Sequence, residues 1–256
     1  QNEDLFWACR GGGGGNFGVH TLFTFKTFPV QDVTAFRLSW NKDLVDVLPT
    51  LLSILPEAGD ELGCQLEVHT SSGGATSLQL VGQWMGEAEE LQPLLAPVYA
   101  ISHTQAASVE KLPYWEAQDL LAETGARKLT QTRSRYIYSE LPIEASDLAL
   151  DRLGRWPGSG GSAVWKVHLV GGAVDKVSRR GTAYVHRGAK MLSSIELSWK
   201  STDPDPRLAA NLAWLDEFHL SMEPFTSSES YQNFSDPSQD NFAHAYYAEN
   251  LTYLSS

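Results

Sequence analysis

Asp4-Leu5-Phe6-Trp7-Ala8-Cys9-Arg10-Gly11-Gly12-Gly13-Gly14-Gly15-Asn16-Phe17-Gly18-Val19 sets five consecutive glycines between an aromatic-apolar run and the strand-like segment His20-Thr21-Leu22-Phe23-Thr24-Phe25. Only glycine takes φ > 0 without strain and lets a backbone pass flush against a flat ligand or another strand. A flexible tether would mix its glycines with serine, and Trp and Phe would not flank it. The stretch reads as a tight binding turn fused to a buried strand.

Outward from the glycines, Leu22, Phe25 and Phe28 and then Ala35-Phe36-Arg37-Leu38-Ser39-Trp40 read as two strands. Asn41 is the expected N-cap of a helix over 42–55, with Leu44, Val47, Leu48, Leu51, Leu52 and Leu55 on one stripe. Strands are expected at 66–70 and 77–84, joined by a turn at Ser72-Gly73-Gly74, and a helix at 88–98. Strand, strand, helix, strand, strand, helix predicts an α+β fold with a large, mostly antiparallel sheet. The second half repeats the theme. Helices are expected at 114–123 and 146–156, a strand at 129–140, and strands at 163–170, 174–177 and 183–199, the last broken at Gly188. A long helix over 207–221 uses Leu208, Leu212, Leu215 and Leu220. A short strand at 230–235 and a helix at 242–254 follow. The pattern predicts helices covering one face of the sheet, with the other face open for a ligand.

A chain of 256 residues, 42% hydrophobic and 20% charged, buries one sizeable core. A net charge of −12 argues against a nucleic-acid partner, which needs a basic face, and is a poor match for anionic lipid. No stretch approaches the roughly 20 apolar residues of a membrane span. Cytoplasmic and secreted locations both remain open. Cys9 and Cys64 are too few for a disulfide scaffold, lie in no metal-ligand cluster, and read as buried small hydrophobes. His69, His103 and His219 have no metal-ligand spacing.

The glycine run with its flanks, Asp4 to Val19, resembles the end of the flavin-binding domain of berberine-bridge-enzyme-like FAD-linked oxidases. Tyr231-Gln232-Asn233-Phe234 with Asp236-Pro237, then His244-Ala245-Tyr246-Tyr247-x-Glu249-Asn250-Leu251, is similar to the C-terminal signature of that family. The resemblance implies three parts: 1–20 as the last strap of a flavin domain, 21–225 as a substrate domain whose sheet roofs the flavin, and 226–256 as a segment returning to the flavin domain. It also implies that the rest of the flavin domain, with any covalent FAD linkage, lies outside these residues. The chain then reads as part of a larger oxidase and is expected to be inactive alone. The glycine run precedes a strand, whereas a dinucleotide motif precedes a helix.

The resemblance points to an oxidoreductase acting on a hydroxyl-bearing small molecule, a sugar or natural-product alcohol, with oxygen the expected acceptor. Flavin-linked oxidation asks the protein for a base, and tyrosine serves if its surroundings favour the charged form. Tyr231 is the expected base, and Asn233, two residues on along the expected strand, fixes it or contacts the flavin. Gly11, Gly12, Gly13, Gly14, Gly15, Asn16 and Gly18 are expected against the flavin, with Tyr247 and Asn250 near it. Trp84, Tyr136, Tyr138, Lys166 and His168 are candidates for the substrate cleft; ordinary half-buried strand positions are the alternative for each. Thr182-Ala183-Tyr184-Val185-His186-Arg187 resembles a family strand, with Arg187 as an ion-pair anchor. Asn233-Phe234-Ser235 and Asn250-Leu251-Thr252 fit the glycosylation sequon, which a buried Asn233 would make irrelevant. The competing reading is a flavin-free binding module of the same fold. A hydrolase lacks support, because no GxSxG elbow and no paired-acid motif occurs.

Overall fold

Alternation of apolar and polar side chains builds a sheet with two chemically different faces. The computed structural model describes residues 2–71, 73–122 and 128–255. Strands β1 (Val33–Trp40), β2 (Leu62–Thr70), β3 (Thr76–Trp84), β4 (Ala106–Leu112), β5 (Leu129–Ile137), β6 (Ala163–Leu169) and β7 (Met191–Trp199) lie in the order β4-β1-β3-β2-β6-β7-β5. Their pairings are antiparallel. The helices are α1 (Glu3–Cys9), α2 (Leu44–Ile54), α3 (Ala88–Ile101), α4 (Tyr114–Leu121), α5 (Ile143–Gly154), α6 (Asp205–Ser221), α7 (Phe242–Tyr247) and α8 (Leu251–Leu254). The fold is α+β, as expected.

One face carries the main core. Leu38 and Trp40 of β1, Leu80 of β3, Trp165 of β6 and Ile195 of β7 pack there against α2, α3, α5 and α6. All six leucine and valine positions of the α2 stripe are buried. Each such side chain contributes about 1.5–3 kcal/mol over leaving it in water. Trp40 and Trp165 keep their indole N–H groups paired, to Ser102 O at 3.2 Å and Ser193 Oγ at 2.8 Å, so the burial strands no donor. The opposite face holds Gln65 and Glu67 of β2, Lys166 and His168 of β6, Ser194 and Glu196 of β7, and Tyr136 of β5. That face is covered at the β4–β1 edge, where Ala117 of α4 packs on Val33 and Ala35, and at the β5 edge, where Tyr184, Tyr231 and Phe234 pack on the cluster of Tyr136 and Leu192.

Several local expectations are corrected. Residues 19–32 form no strand: Leu22, Phe25 and Phe28 are at least 77% exposed, because no described strand offers this segment a ladder, and the sheet begins at Val33. The glycine turn is therefore fused to a preceding helix, α1, and not to a buried strand. Asp43, with φ 54°, precedes α2 in place of Asn41. Strand β4 has weak alternation and was missed. The expected strand at 174–177 is replaced by a 3-10 turn at Gly172–Val174, and residues 182–190 loop before β7 starts at Met191. The buried stripe of α6 is Asn211, Trp214, Leu215 and Phe218, followed by Met222, while Leu220 is exposed. A pattern drawn on leucines alone missed the aromatics, and Asn211 is tolerated inside because its amide bonds Trp156 Nε1 and Gly158 O. The final helix breaks at Ala248, where φ is 40°. Ser72 of the expected turn and Glu123 of the expected helix end lie outside the described residues. Cys64 is partly buried and its thiol is pushed up to about 12 by burial; Cys9 lies 3.3 Å from His20 Nε2. Among the described residues no helix is long and apolar enough to cross a membrane.

Candidate functional site

The glycine loop is sewn to the far end of the chain. Ala183 N donates to Trp7 O and Tyr184 N to Arg10 O, both at 3.2 Å, which lays the end of α1 along 183–184. Gly11, at φ +118°, sits so close that an added Cβ would lie 2.3 Å from the Cβ and backbone N of Tyr184. Gln232 Nε2 donates to Gly11 O at 2.5 Å, and Asn16 Nδ2 and Tyr247 Oη both donate to Gly12 O, at 2.8 and 3.1 Å. Gly14 N donates to Asn233 Oδ1 at 2.9 Å, and Asn233 Nδ2 donates to the Tyr231 phenol oxygen, also at 2.9 Å. A continuous hydrogen-bond chain thus runs from the glycine backbone through Asn233 to Tyr231. Gly14 and Gly15 are exposed, and Gly15 has open space where a side chain would project, so a strip of bare backbone faces outward beside that chain.

Residues 230–235 are not a strand. A turn closed by Phe234 N to Tyr231 O at 2.9 Å brings the side chains of Tyr231 and Asn233 into contact, which a strand's 2-residue repeat would only have set side by side. Asn233 is exposed, contrary to expectation, although both of its amide atoms are engaged. Asn250 is buried, and its amide donates to Arg179 O and Thr182 O, so it anchors the 179–183 loop and faces no open space. The break at Ala248 re-aims the chain to make this anchor.

Tyr231 joins an aromatic cluster on the open face. Its ring meets Phe234 edge-on at 5.2 Å, and both, like Tyr138 and Tyr184, pack against the buried cluster of Tyr136, Ala189 and Leu192. The Tyr136 and Tyr184 hydroxyls are 3.0 Å apart. Burial pushes the phenols of Tyr136 and Tyr184 up, and Tyr136 is raised further by Tyr184. His168 lies beside Phe234, with ring centres 6.3 Å apart. One same-face step along β6, Lys166 is held by Glu196 at 3.2 Å and Glu67 at 3.9 Å. Gln65 and His69 also bond Glu67, at 2.6 and 2.8 Å. Burial pushes the Glu67 carboxyl up, but the His69 bond and the charge of Lys166 outweigh it and hold the group low. Tyr136, Tyr138, Lys166 and His168 thus share the open face. Trp84 does not: it packs on the helix side, and its indole donates to Glu90 at 2.9 Å.

Sequence reading gave no role to Glu229, Arg179, His186, Tyr184 or Gln232. The Glu229 carboxylate accepts Tyr138 Oη at 2.5 Å, His186 Nδ1 at 2.8 Å and Arg179 at 2.7 Å. Burial alone would raise it, yet the bonds from His186, Arg179 and Tyr138 pull it down to about 2. Arg187 is an anchor, but on oxygens of Val174, Tyr184 and Thr182. The one signal available was position: an acid two residues before Tyr231 and a histidine beside Arg187.

No family model matches the chain. It is 29% identical over 257 residues, 99% of its length and 55% of the relative's, to an FAD-linked oxidoreductase of Bacillus subtilis. It has the fold of berberine bridge enzyme, solved in complex with (S)-reticuline, at a TM-score of 0.82 and 19% identity over 98% of this chain and 57% of that one. A grass pollen allergen with glucose dehydrogenase activity, Phl p 4, superposes at a TM-score of 0.78 and 20% identity, with 98% of this chain and 56% of that one covered. The chain spans about half the length of the curated relatives it matches.

Proposed function

We propose that this chain, whose homologues are FAD-linked oxidoreductases and berberine-bridge-enzyme-like proteins, is the substrate-binding part of an FAD-dependent oxidoreductase acting on a hydroxyl-bearing small molecule. The observation that carries this reading is the bonded chain Gly14–Asn233–Tyr231. It places a phenol beside exposed glycine backbone. Gly14 and Gly15 carry no side chain to hold off a flat ring, and the amides of Asn16 and Asn233 offer polar contacts at the edge of the strip, so these residues fit an isoalloxazine. Tyr247 buttresses the loop at Gly12 and Asn16, a supporting role. The bound flavin supplies the two-electron acceptor.

Tyr231, ionised to the phenolate, takes the proton of the substrate hydroxyl and becomes a neutral phenol as the carbon gives up its hydride to the acceptor. The Asn233 N–H aimed at the phenol oxygen stabilises negative charge there. Tyr136, Tyr184 and Phe234 form an apolar wall that excludes water from the reacting carbon. Beyond His168, the engaged groups Gln65, Glu67, Lys166 and Glu196 offer donors and acceptors to further hydroxyls. A ring with one reacting hydroxyl and a polyhydroxylated remainder suits this gradient from aromatic to polar.

A panel of aldoses, aryl alcohols and tertiary-amine alkaloids, added anaerobically to the intact flavoprotein, tests the substrate class. Bleaching of the visible flavin band by members of the first two sets is expected. Bleaching by the amines alone overturns it.

A further inference from the structure

Glu229 sits two residues before Tyr231, and its carboxylate is the meeting point of three donors from two separate elements. Tyr138 directly follows β5; Arg179 and His186 come from the loop between β6 and β7. A carboxylate only accepts, so Nδ1 of His186 carries the proton in that bond. The His186 side chain is fully buried, and its ring stacks on Tyr136 at 4.1 Å with an interplanar angle of 16°. It also meets Tyr184 edge-on at 5.3 Å. Tyr136 then reaches Tyr184 through the hydroxyl pair, and Tyr231 packs against the same cluster. Glu229 is tied in through its backbone as well: its carbonyl accepts Tyr136 N at 2.9 Å, and Tyr231 N donates to Ser134 Oγ at 3.1 Å. The Nδ1 bond to Glu229 is the hydrogen bond that orients the His186 ring, whose Nε2 is buried without a hydrogen-bond partner among the described residues.

We propose that Glu229 and His186 are a positioning pair that locks the tyrosine wall against Tyr231. Neither touches the reacting atoms. Glu229 holds the imidazole, the imidazole holds Tyr136, and Tyr136 holds Tyr184, so the pocket around the Tyr231 phenol keeps one shape. Charge-assisted bonds suit this task, being short and directional. The inference rests on the reading of Tyr231 as the base.

The test uses the intact flavoprotein with Glu229→Gln. Its amide keeps the shape but cannot accept from all three donors. A fall in kcat on the order of 10- to 100-fold is expected, with KM nearly unchanged, as for a displaced reacting geometry. Nitration by tetranitromethane, mapped by mass spectrometry, is expected to reach Tyr136 and Tyr184 in E229Q though not in the parent. H186Q, whose amide still donates to Glu229 but which lacks the stacking ring, is expected to behave like E229Q and serves if E229Q does not fold. E249Q removes only the outer partner of Arg179 and leaves the three donors on Glu229, so it is expected to keep parental turnover and nitration. Parental kcat in E229Q and H186Q, or equal losses in E249Q, overturns the proposal. Y231F separates the two readings. If Y231F is inactive while E229Q is fully active, only the positioning role fails; if Y231F keeps its turnover, the base assignment fails.

Discussion

Tyr231→Phe is expected to lower kcat of the intact flavoprotein by about 10²–10⁴-fold, the span general acid–base groups contribute. The substitution removes one oxygen. It leaves the edge-on contact with Phe234 and the packing on the cluster of Tyr136, Ala189 and Leu192, so the fold and the flavin content should stay as they are. The Asn233 amide loses one acceptor, but it is exposed and water replaces the partner at little cost. Because the Tyr231 phenolate takes the hydroxyl proton only as the C–H bond breaks, KM should move far less than kcat. Rapid-mixing measurement of anaerobic flavin reduction isolates this step from reoxidation. An unchanged reduction rate removes Tyr231 from the mechanism.

Gly11→Ala is the second large effect. At φ +118° any side chain is strained by about 1–3 kcal/mol. Here the new methyl also lands 2.3 Å from both the Cβ and the backbone N of Tyr184, which has no flexible end to move aside. The Arg10–Tyr184 and Gln232–Gly11 bonds must open, and the strap lifts from the 183–184 segment. A fall in the thermal midpoint of roughly 5–10 °C is expected for a chain of this size, with loss of bound flavin. Gly15→Ala is the control: its φ of +81° carries comparable strain, but nothing lies within 4 Å of the added carbon. It should cost less stability, and any loss of flavin there reports crowding of the ring site alone. Equal melting for G11A and the parent contradicts the close approach.

The fold was legible where burial is dictated by one periodicity. The α2 stripe and the β2–β3 pair follow from apolar spacing, because each presents one face to one core. Position 84 was legible too. Trp84 shares its parity with Leu78 and Leu80, which are buried on the helix side, while Gln79 and Gln83 take the other face, so the alternation of β3 already carried the placement that a reading by residue type overlooked. Residues 19–32 carry a strong strand pattern and still form no strand, since pairing needs a partner that local sequence does not supply. Of the candidate site, the two motifs singled out in the sequence, Gly11 to Asn16 and Tyr231 to Asn233, are in contact in the fold. Asn250, two residues after the positive φ at Ala248, an unusual conformation for alanine, turns its amide to the 179–183 loop, which no local pattern signals. Glu229 and His186 were invisible as a pair because they lie 43 residues apart and meet only after the β6–β7 loop folds back over Tyr136.

The proposed function requires a flavin beside Gly14, Gly15 and Tyr231. The most direct measurement is the visible absorption spectrum of the protein expressed from its full reading frame, taken with parent, G11A and Y231F side by side. An oxidised-flavin band is expected in the parent and in Y231F, and a diminished one in G11A. A parent protein with no visible flavin band, even after refolding with FAD, contradicts the proposed function and leaves a binding module in the shape of an oxidase.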